Sequence, residues 1–297
     1  MIQDALAKQI FKNLSSLDLS PPKGNSYDYH FKDTLKQCLL ESIGSSAITI
    51  EATNKLRIEI STEEFATALF SDFHFGRKRI KMQINNVNNL INSDSQVAWI
   101  VTTAYYACYF MAVEITKLYG MFIINFSEDE LRRIIASSKS TNNLNLKAET
   151  NNSFQISVRS SSYQNILDLQ LVREASRPHQ IVWTNFSQIL NKLTVDDHLS
   201  HHKNLLIEIC DNNKKKWKLP NTIRNEWNYT YADYYSDRGT EIGDKFLSII
   251  KKSDSAMSWA SRRKLQPDEK NITASIAYLY HFLSEAIERI ESRFYQS

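Results

Sequence analysis

Glycine and proline are scarce in this chain, and their scarcity limits the folds it can adopt. The 297 residues include 6 glycines and 5 prolines, whereas average composition would supply about three times as many. Folds built from many strands, and doubly wound sheets, need numerous tight turns, for which these two residues are the usual choice. The composition therefore predicts a mainly α-helical protein with few tight connections.

Helical periodicity is clearest in two segments. Apolar and small residues recur every three or four positions from 97 to 119, and again from 272 to 294. This spacing places them on one side of a helix, so we expect both helices to face the core. Because Glu114 and Lys117 interrupt the first segment, which extends as an apolar window to Ile124, it predicts a buried core helix and no membrane span.

Short alternating runs indicate a small β component. Residues 47–52 and 55–60 alternate between apolar and polar side chains on either side of Thr53-Asn54, a pattern typical of a β-hairpin. Residues 154–158 alternate in the same way, whereas residues 168–172 are compatible with a strand or a turn. The sequence thus predicts a helical bundle with a small β-hairpin and short-strand insertion.

The chain has no linker of low complexity, and we predict two parts on the basis of these patterns. Residues 1–75 would contain the N-terminal helices and the hairpin. Residues 76–297 would form the helical bundle, with an irregular insertion near 137–175. The helix that follows the hairpin is expected to end near Phe73.

Charge and cysteine content exclude several classes of protein. Thirty-six basic against 33 acidic residues give a net charge of +3, which argues neither for nor against nucleic acid. Cys38, Cys108 and Cys210 form no CxxC pair, so no usual zinc or redox spacing is present. No glycine-rich phosphate loop and no signal peptide are visible. We expect a reduced cytoplasmic protein without a cofactor.

One segment combines a fixed cation with amides and phenols. Arg224 is followed by two asparagines and two tyrosines within residues 224–231, and a lysine-rich run precedes it. On a regular helix Arg224, Asn228 and Tyr231 would share one face. A planar guanidinium beside hydrogen-bonding groups suits a phosphate-bearing partner. The alternative is a structural arginine that pairs with Glu226 or Asp233.

Two segments together resemble the HEPN superfamily, helical-bundle domains of prokaryotic toxins, phage-defence proteins and RNA-cleaving effectors. Residues 103–112 are similar to its helix of small and aromatic residues. Arg224, Asn225 and Tyr231 match its extended signature, in which an arginine precedes a histidine and a tyrosine follows that histidine by two residues. In this chain Tyr229 stands at the histidine position.

The resemblance implies metal-independent RNA cleavage in a cleft between two protomers, a homodimer, and a partner protein from the same toxin or defence system. Tyrosine has an unperturbed pKa of about 10, so it transfers protons poorly at neutral pH. Loss of a positioned acid or base typically lowers the rate by about 100- to 10,000-fold. The resemblance assigns catalytic roles to Arg224, Asn225, Tyr229 and Tyr231, and we expect RNA to contact Lys214, Lys215, Lys216, Lys218 and Asn228.

Three other interpretations remain open. The helical face around Arg224 could bind a protein, or a second copy of the chain, without catalysis. His198 and His202 are spaced to share a metal on a helix, with Asp196 or Asp197 as a further ligand, although the same acids suit a helix N-terminus. A histidine from this cluster could also supply the imidazole missing at Tyr229. Two further basic runs, at 76–81 and 262–264, would matter if the fold brought them beside the candidate site.

Overall fold

A computed structural model describes the chain over residues 1–21, 29–30, 32, 34–41, 47–140, 146–149, 152–174, 177–211, 213–214, 216–262 and 265–294. The α-helices are α1 (Ile2–Ser16), α2 (Leu35–Glu41), α3 (Thr62–Asn92), α4 (Val97–Leu118), α5 (Glu128–Ala136), α6 (Pro178–Asn191), α7 (Asp197–Cys210), α8 (Pro220–Asn225), α9 (Asp237–Ile250), α10 (Ser253–Ala260) and α11 (Glu269–Phe294). The strands are β1 (Ala47–Ala52), β2 (Lys55–Ser61), β3 (Met121–Asn125), β4 (Lys139–Ser140), β5 (Ser153–Ser160) and β6 (Ile166–Arg173). The mainly α class is confirmed.

The chain divides into two compact units, each made of separate segments. The helical unit comprises Met1–Gln9, Lys78–Ile115 and Val182–Ser297, and the sheet unit comprises Ile10–Arg77 and Thr116–Ile181. The sequence predicted a single division at residue 75, whereas Met1–Gln9 belongs to the helical unit and Thr116–Ile181 belongs to the sheet unit.

The sheet unit contains the predicted hairpin. The strand order is β3-β5-β6-β2-β1-β4, in which five strands are antiparallel and the two-residue β4 runs parallel to β1. Alternate residues of β2 and β6 are buried, as a half-covered sheet requires. The hairpin is confirmed, and β6 pairs with β2 along its length. Much of the predicted irregular insertion at 137–175 is therefore regular sheet.

Two helix boundaries differ from those expected. The helix after the hairpin does not end near Phe73, because α3 continues through Gly76 to Asn92; one helical glycine costs only about 1 kcal/mol. The apolar window that begins at Val97 is not helical to Ile124. Gly120 has a φ of +76°, which ends α4 and lets Met121 begin an edge strand.

In the helical unit, α11 is the central helix. Its buried side chains contact several neighbouring helices: Thr273 accepts a hydrogen bond from Trp227 Nε1 at 3.3 Å, and Asn271 accepts one from Trp259 Nε1 at 3.0 Å. Cys108 of α4 lies 3.7 Å from the carbonyl oxygen of Ile276. These contacts attach α4, α10 and the segment after α8 to one apolar core.

Among the described residues, one helix, α4, has the length and the apolar composition that a membrane span requires. However, 67% of its most apolar window is buried inside the protein. Such a helix is weak evidence for a membrane span, and the burial agrees with the predicted core position.

Close approach at a glycine determines how α9 joins the segment before it. A Cβ atom on Gly239 would lie 1.8 Å from the carbonyl oxygen of Tyr234, so the backbone would have to move. We expect Gly239→Ala to lower the free energy of unfolding by about 1–3 kcal/mol, although alanine is intrinsically the better helix former. Urea unfolding measures the change. Thr240→Ala, an exposed neighbour in the same helix, is the control and should change stability by no more than about 0.5 kcal/mol. Equal stability of the two variants would show that Tyr234 moves without cost.

Candidate phosphate-binding site

The candidate segment is not a regular helix. The α8 helix begins with Pro220 and ends at Asn225, after which Glu226–Thr230 form one turn of π-helix. The amide of Tyr231 donates to the carbonyl oxygen of Glu226, five residues earlier, at 3.1 Å. Single π turns occur mainly within α-helices and frequently at functional sites.

The π turn changes which side chains meet. Hydrogen bonding between residues five apart stacks Tyr229 over Arg224, and the guanidinium carbon of Arg224 lies 5.7 Å from the centre of the Tyr229 ring. Tyr231 has extended backbone angles (φ −111°, ψ 95°) and stands beyond the helical turn. The prediction that Arg224, Asn228 and Tyr231 share a helical face is therefore wrong.

Tyrosines from another helix complete the surroundings of Arg224. Its guanidinium carbon lies 5.4 Å from the ring centres of both Tyr105 and Tyr106, on α4. Tyr105 is buried, Tyr106 is half-buried, and Tyr229 is 72% exposed. Each such cation–π contact contributes about 0.5–2 kcal/mol, so the three rings orient the guanidinium without neutralising it.

The carboxylates that could have neutralised Arg224 pair with other cations. Glu226 accepts from Lys218 Nζ at 2.6 Å, and Asp233 accepts from Arg238 at 2.8 Å. No carboxylate of the described residues lies within ion-pair distance of Arg224, and its Nε is buried without a hydrogen-bond partner among them. The alternative in which Glu226 or Asp233 holds Arg224 does not occur.

Burial controls the protonation of the Tyr105 phenol. Removal from water raises its pKa well above the ordinary value, although contacts with Trp183 and Arg224 act in the opposite direction. A tyrosine with the ordinary pKa of about 10 is already protonated at neutral pH, and burial favours that form of Tyr105 further. Tyr105 can donate a hydrogen bond but cannot act as a base.

The remaining predicted RNA contacts differ in availability. Lys214 and Lys216 are exposed, and no ion pair joins them to the described part of the chain, whereas Lys218 is paired with Glu226. Lys215 lies outside the described residues. Asn225 and Asn228 are half-buried; Asn225 precedes the π turn and Asn228 lies within it. Trp217, within this lysine run, packs edge-on against Trp259, with ring centres 6.0 Å apart.

The other two basic runs offer less to an anionic ligand. Arg79 is neutralised by the fully buried Glu114, 3.0 Å away, and lies over the ring of Phe110. Arg262 is exposed, whereas Arg263 and Lys264 lie outside the described residues.

The histidine cluster has structural contacts. Nδ1 of the buried His202 lies 3.4 Å from the Tyr278 hydroxyl, and its Nε2 lies 3.3 Å from Ser261 Oγ. His201 contacts the carbonyl oxygen of Ala260 at 3.0 Å, while His198 is exposed. Within the ranges that the structure covers, no group of three metal-binding side chains forms. None of the hydrogen bonds that the described residues of this cluster make joins His201 or His202 to Tyr229.

The buried histidine should make stability depend on pH. Burial, together with the neighbouring His201, lowers the pKa of His202. Below the unfolded pKa of about 6.5, the unfolded chain gains a proton that the folded protein resists. We expect the free energy of unfolding to fall as pH falls from about 7 to 5.5, and His202→Gln to reduce that slope. Urea unfolding at several pH values measures it. His198→Gln, at an exposed position, is the control, and an equal effect of the two variants would contradict this account.

Sequence reasoning identified Arg224 but did not assign Tyr105 and Tyr106 to the site. Both belong to the aromatic segment at 103–112, more than a hundred residues earlier in the chain. The feature of the sequence that could have assigned them to the site is the pair of adjacent tyrosines on a mainly apolar helix. No protein-family model, curated protein or solved structure matches the chain. The functional interpretation consequently depends on the geometry around Arg224.

Proposed function

We propose that this chain is a HEPN-like, RNA-engaging protein of a prokaryotic toxin or phage-defence system, and that Arg224 holds an RNA phosphate. The observation that carries the proposal is the state of the Arg224 guanidinium. It is oriented by Tyr105, Tyr106 and Tyr229, yet Glu226 and Asp233 are paired elsewhere. An uncompensated planar cation is suited to a phosphate, which accepts two parallel hydrogen bonds from it.

The lysines would add attraction that does not depend on sequence. Lys214 and Lys216 are exposed in the same helical unit, and Arg262 follows Trp259, against which Trp217 of the lysine run packs. Each phosphate that such a cation contacts releases counterions, so binding should weaken as salt rises. Asn225 and Asn228 would supply amide groups for the ribose or the backbone.

Metal-independent cleavage is the catalytic form of this proposal. The neighbouring ribose 2′-hydroxyl would attack the phosphorus, the bond to the 5′-oxygen would break, and Arg224 would stabilise the added negative charge. The 2′-oxygen must lose a proton, and the leaving 5′-oxygen must gain one. The exposed Tyr229 ring lies against the Arg224 guanidinium, and a phenol performs this exchange slowly at neutral pH.

A nuclease assay beside a binding titration of the same RNA separates binding from cleavage. Purified wild type and Arg224→Ala are incubated with total RNA and with tRNA, with and without EDTA. Chelator-resistant cleavage by wild type that is lost in the variant would support a ribonuclease. RNA binding without cleavage would support a binding role, and cleavage that Arg224→Ala leaves unchanged would exclude this site.

Exposed aromatic side chains favour a second candidate, a non-catalytic interaction module. Tyr229 and Tyr231 are 72% and 40% exposed, and aromatic residues are enriched in the cores of protein interfaces. In this candidate the same face binds a second copy of the chain or a partner protein. A dimer that binds no RNA, and that Tyr229→Ala dissociates, would favour it over RNA binding.

A further inference from the structure

The α4 helix has a second stripe of residues, opposite its core-facing side. Trp99, Thr103, Tyr106 and Phe110 are spaced by three or four positions, and each is at least partly exposed. Positions at this spacing lie along one helix face. The candidate site is one point on this stripe, because Arg224 lies over Tyr106.

Trp99 is the exposed end of the stripe. Its indole is 50% exposed, whereas the other four tryptophans of the chain, Trp183, Trp217, Trp227 and Trp259, are buried. The ring of Tyr235 meets it edge-on, with centres 5.9 Å apart. The Tyr235 ring packs against the indole, and half of the Trp99 surface remains open to solvent. At a rise of 1.5 Å per residue, Trp99 lies about 10 Å along α4 from Tyr106.

The charges around the stripe favour one kind of occupant. Arg79, at the Phe110 end, is neutralised by Glu114, while Arg224 is not neutralised by the described residues. An apolar protein surface over both Trp99 and Arg224 would bury a cation without a partner, which is costly. A nucleotide strand offers an aromatic face and an anionic group a short distance apart, and so matches both.

We infer that Trp99 stacks on a nucleobase of the bound RNA, beside the nucleotide whose phosphate Arg224 holds. The inference rests on the proposed function and adds a base-contacting residue to it. Stacking on an aromatic side chain requires a base whose face is free, so the strand must be unpaired at this position. Such stacking tolerates any base, because every base has a π face.

Binding to a short unstructured RNA of mixed sequence, measured by fluorescence anisotropy, tests the inference. We expect Trp99→Ala to weaken binding by about 5- to 150-fold, and Trp99→Phe to retain most of the affinity. The same strand with consecutive abasic positions should bind wild type and Trp99→Ala about equally. Tyr163→Ala, at a tyrosine that is 68% exposed in the sheet unit, is the matched control and should bind intact RNA like wild type.

The possible outcomes are distinguishable. If Arg224→Ala loses RNA binding while Trp99→Ala keeps it, the stacking role is overturned and the proposed function stands. If Trp99→Ala loses affinity equally for intact and abasic strands, or instead loses self-association, Trp99 has a structural or protein-binding role. If wild type binds no RNA, both proposals fail. Because Trp99 is the exposed tryptophan, RNA should also protect it from acrylamide quenching in wild type, and Trp99→Phe should lack that protection.

Discussion

Arg224→Ala should weaken RNA binding by about 10- to 150-fold, the loss that corresponds to about 1.5–3 kcal/mol for hydrogen bonds to a charged group. The guanidinium is already oriented by three tyrosine rings and is not neutralised by Glu226 or Asp233. The substitution therefore removes a preoriented anion-binding group, and it breaks no ion pair within the protein. Titration over a range of salt concentrations should also show a slope smaller by about 0.7–0.9, as expected when the protein neutralises one phosphate fewer.

Two further variants control this result. Arg224→Lys keeps the charge but lacks the planar fork that lies against the rings, so its affinity should lie between those of wild type and Arg224→Ala. Arg132→Ala removes an exposed arginine that pairs with Glu128 in the sheet unit, and it should change the affinity by no more than about twofold. If Arg132→Ala and Arg224→Ala weakened binding equally, RNA would be responding to overall charge and not to this site.

Trp227→Ala should lower the free energy of unfolding by about 3–5 kcal/mol, a large fraction of the stability of an ordinary domain. The indole is 1% exposed, packs against Tyr234 with ring centres 4.5 Å apart, and donates its Nε1 hydrogen to Thr273. The substitution removes a large apolar volume and one buried hydrogen bond together. Urea unfolding followed by circular dichroism measures the effect.

The control for this prediction is the same substitution at the exposed tryptophan. Trp99→Ala should lower the free energy of unfolding by only about 1–1.5 kcal/mol, since half of the Trp99 surface stays in water in the folded protein. Trp227→Phe should fall between the two, because it fills part of the volume and loses the hydrogen bond. A small loss in Trp227→Ala would mean that the π turn repacks around the vacancy, which would contradict a rigid support for Arg224.

Local patterns predicted most of the elements. Strict spacing of apolar residues identified α11, and alternation around Thr53-Asn54 identified the hairpin, because both signals lie within a few residues. The same reasoning missed β3, since the apolar run from Val97 continues past Leu118 and a buried helix and a buried strand have similar composition. It also ended the helix after the hairpin at Phe73, although α3 continues through Gly76 to Asn92.

The candidate site, too, was predicted only in part from the sequence. The sequence by itself determined that a fixed cation, two amides and two phenols follow a lysine run, and that α4 is an aromatic core helix. Only the tertiary structure decided that Arg224 lies over Tyr105 and Tyr106. It also decided that Glu226 pairs with Lys218 and that Asp233 pairs with Arg238. The π turn, finally, places Tyr229 next to the arginine and Tyr231 away from it. The physical reason is that ion pairs and ring contacts depend on which groups packing brings within a few ångströms of one another, and the spacing of residues along the chain does not contain that distance.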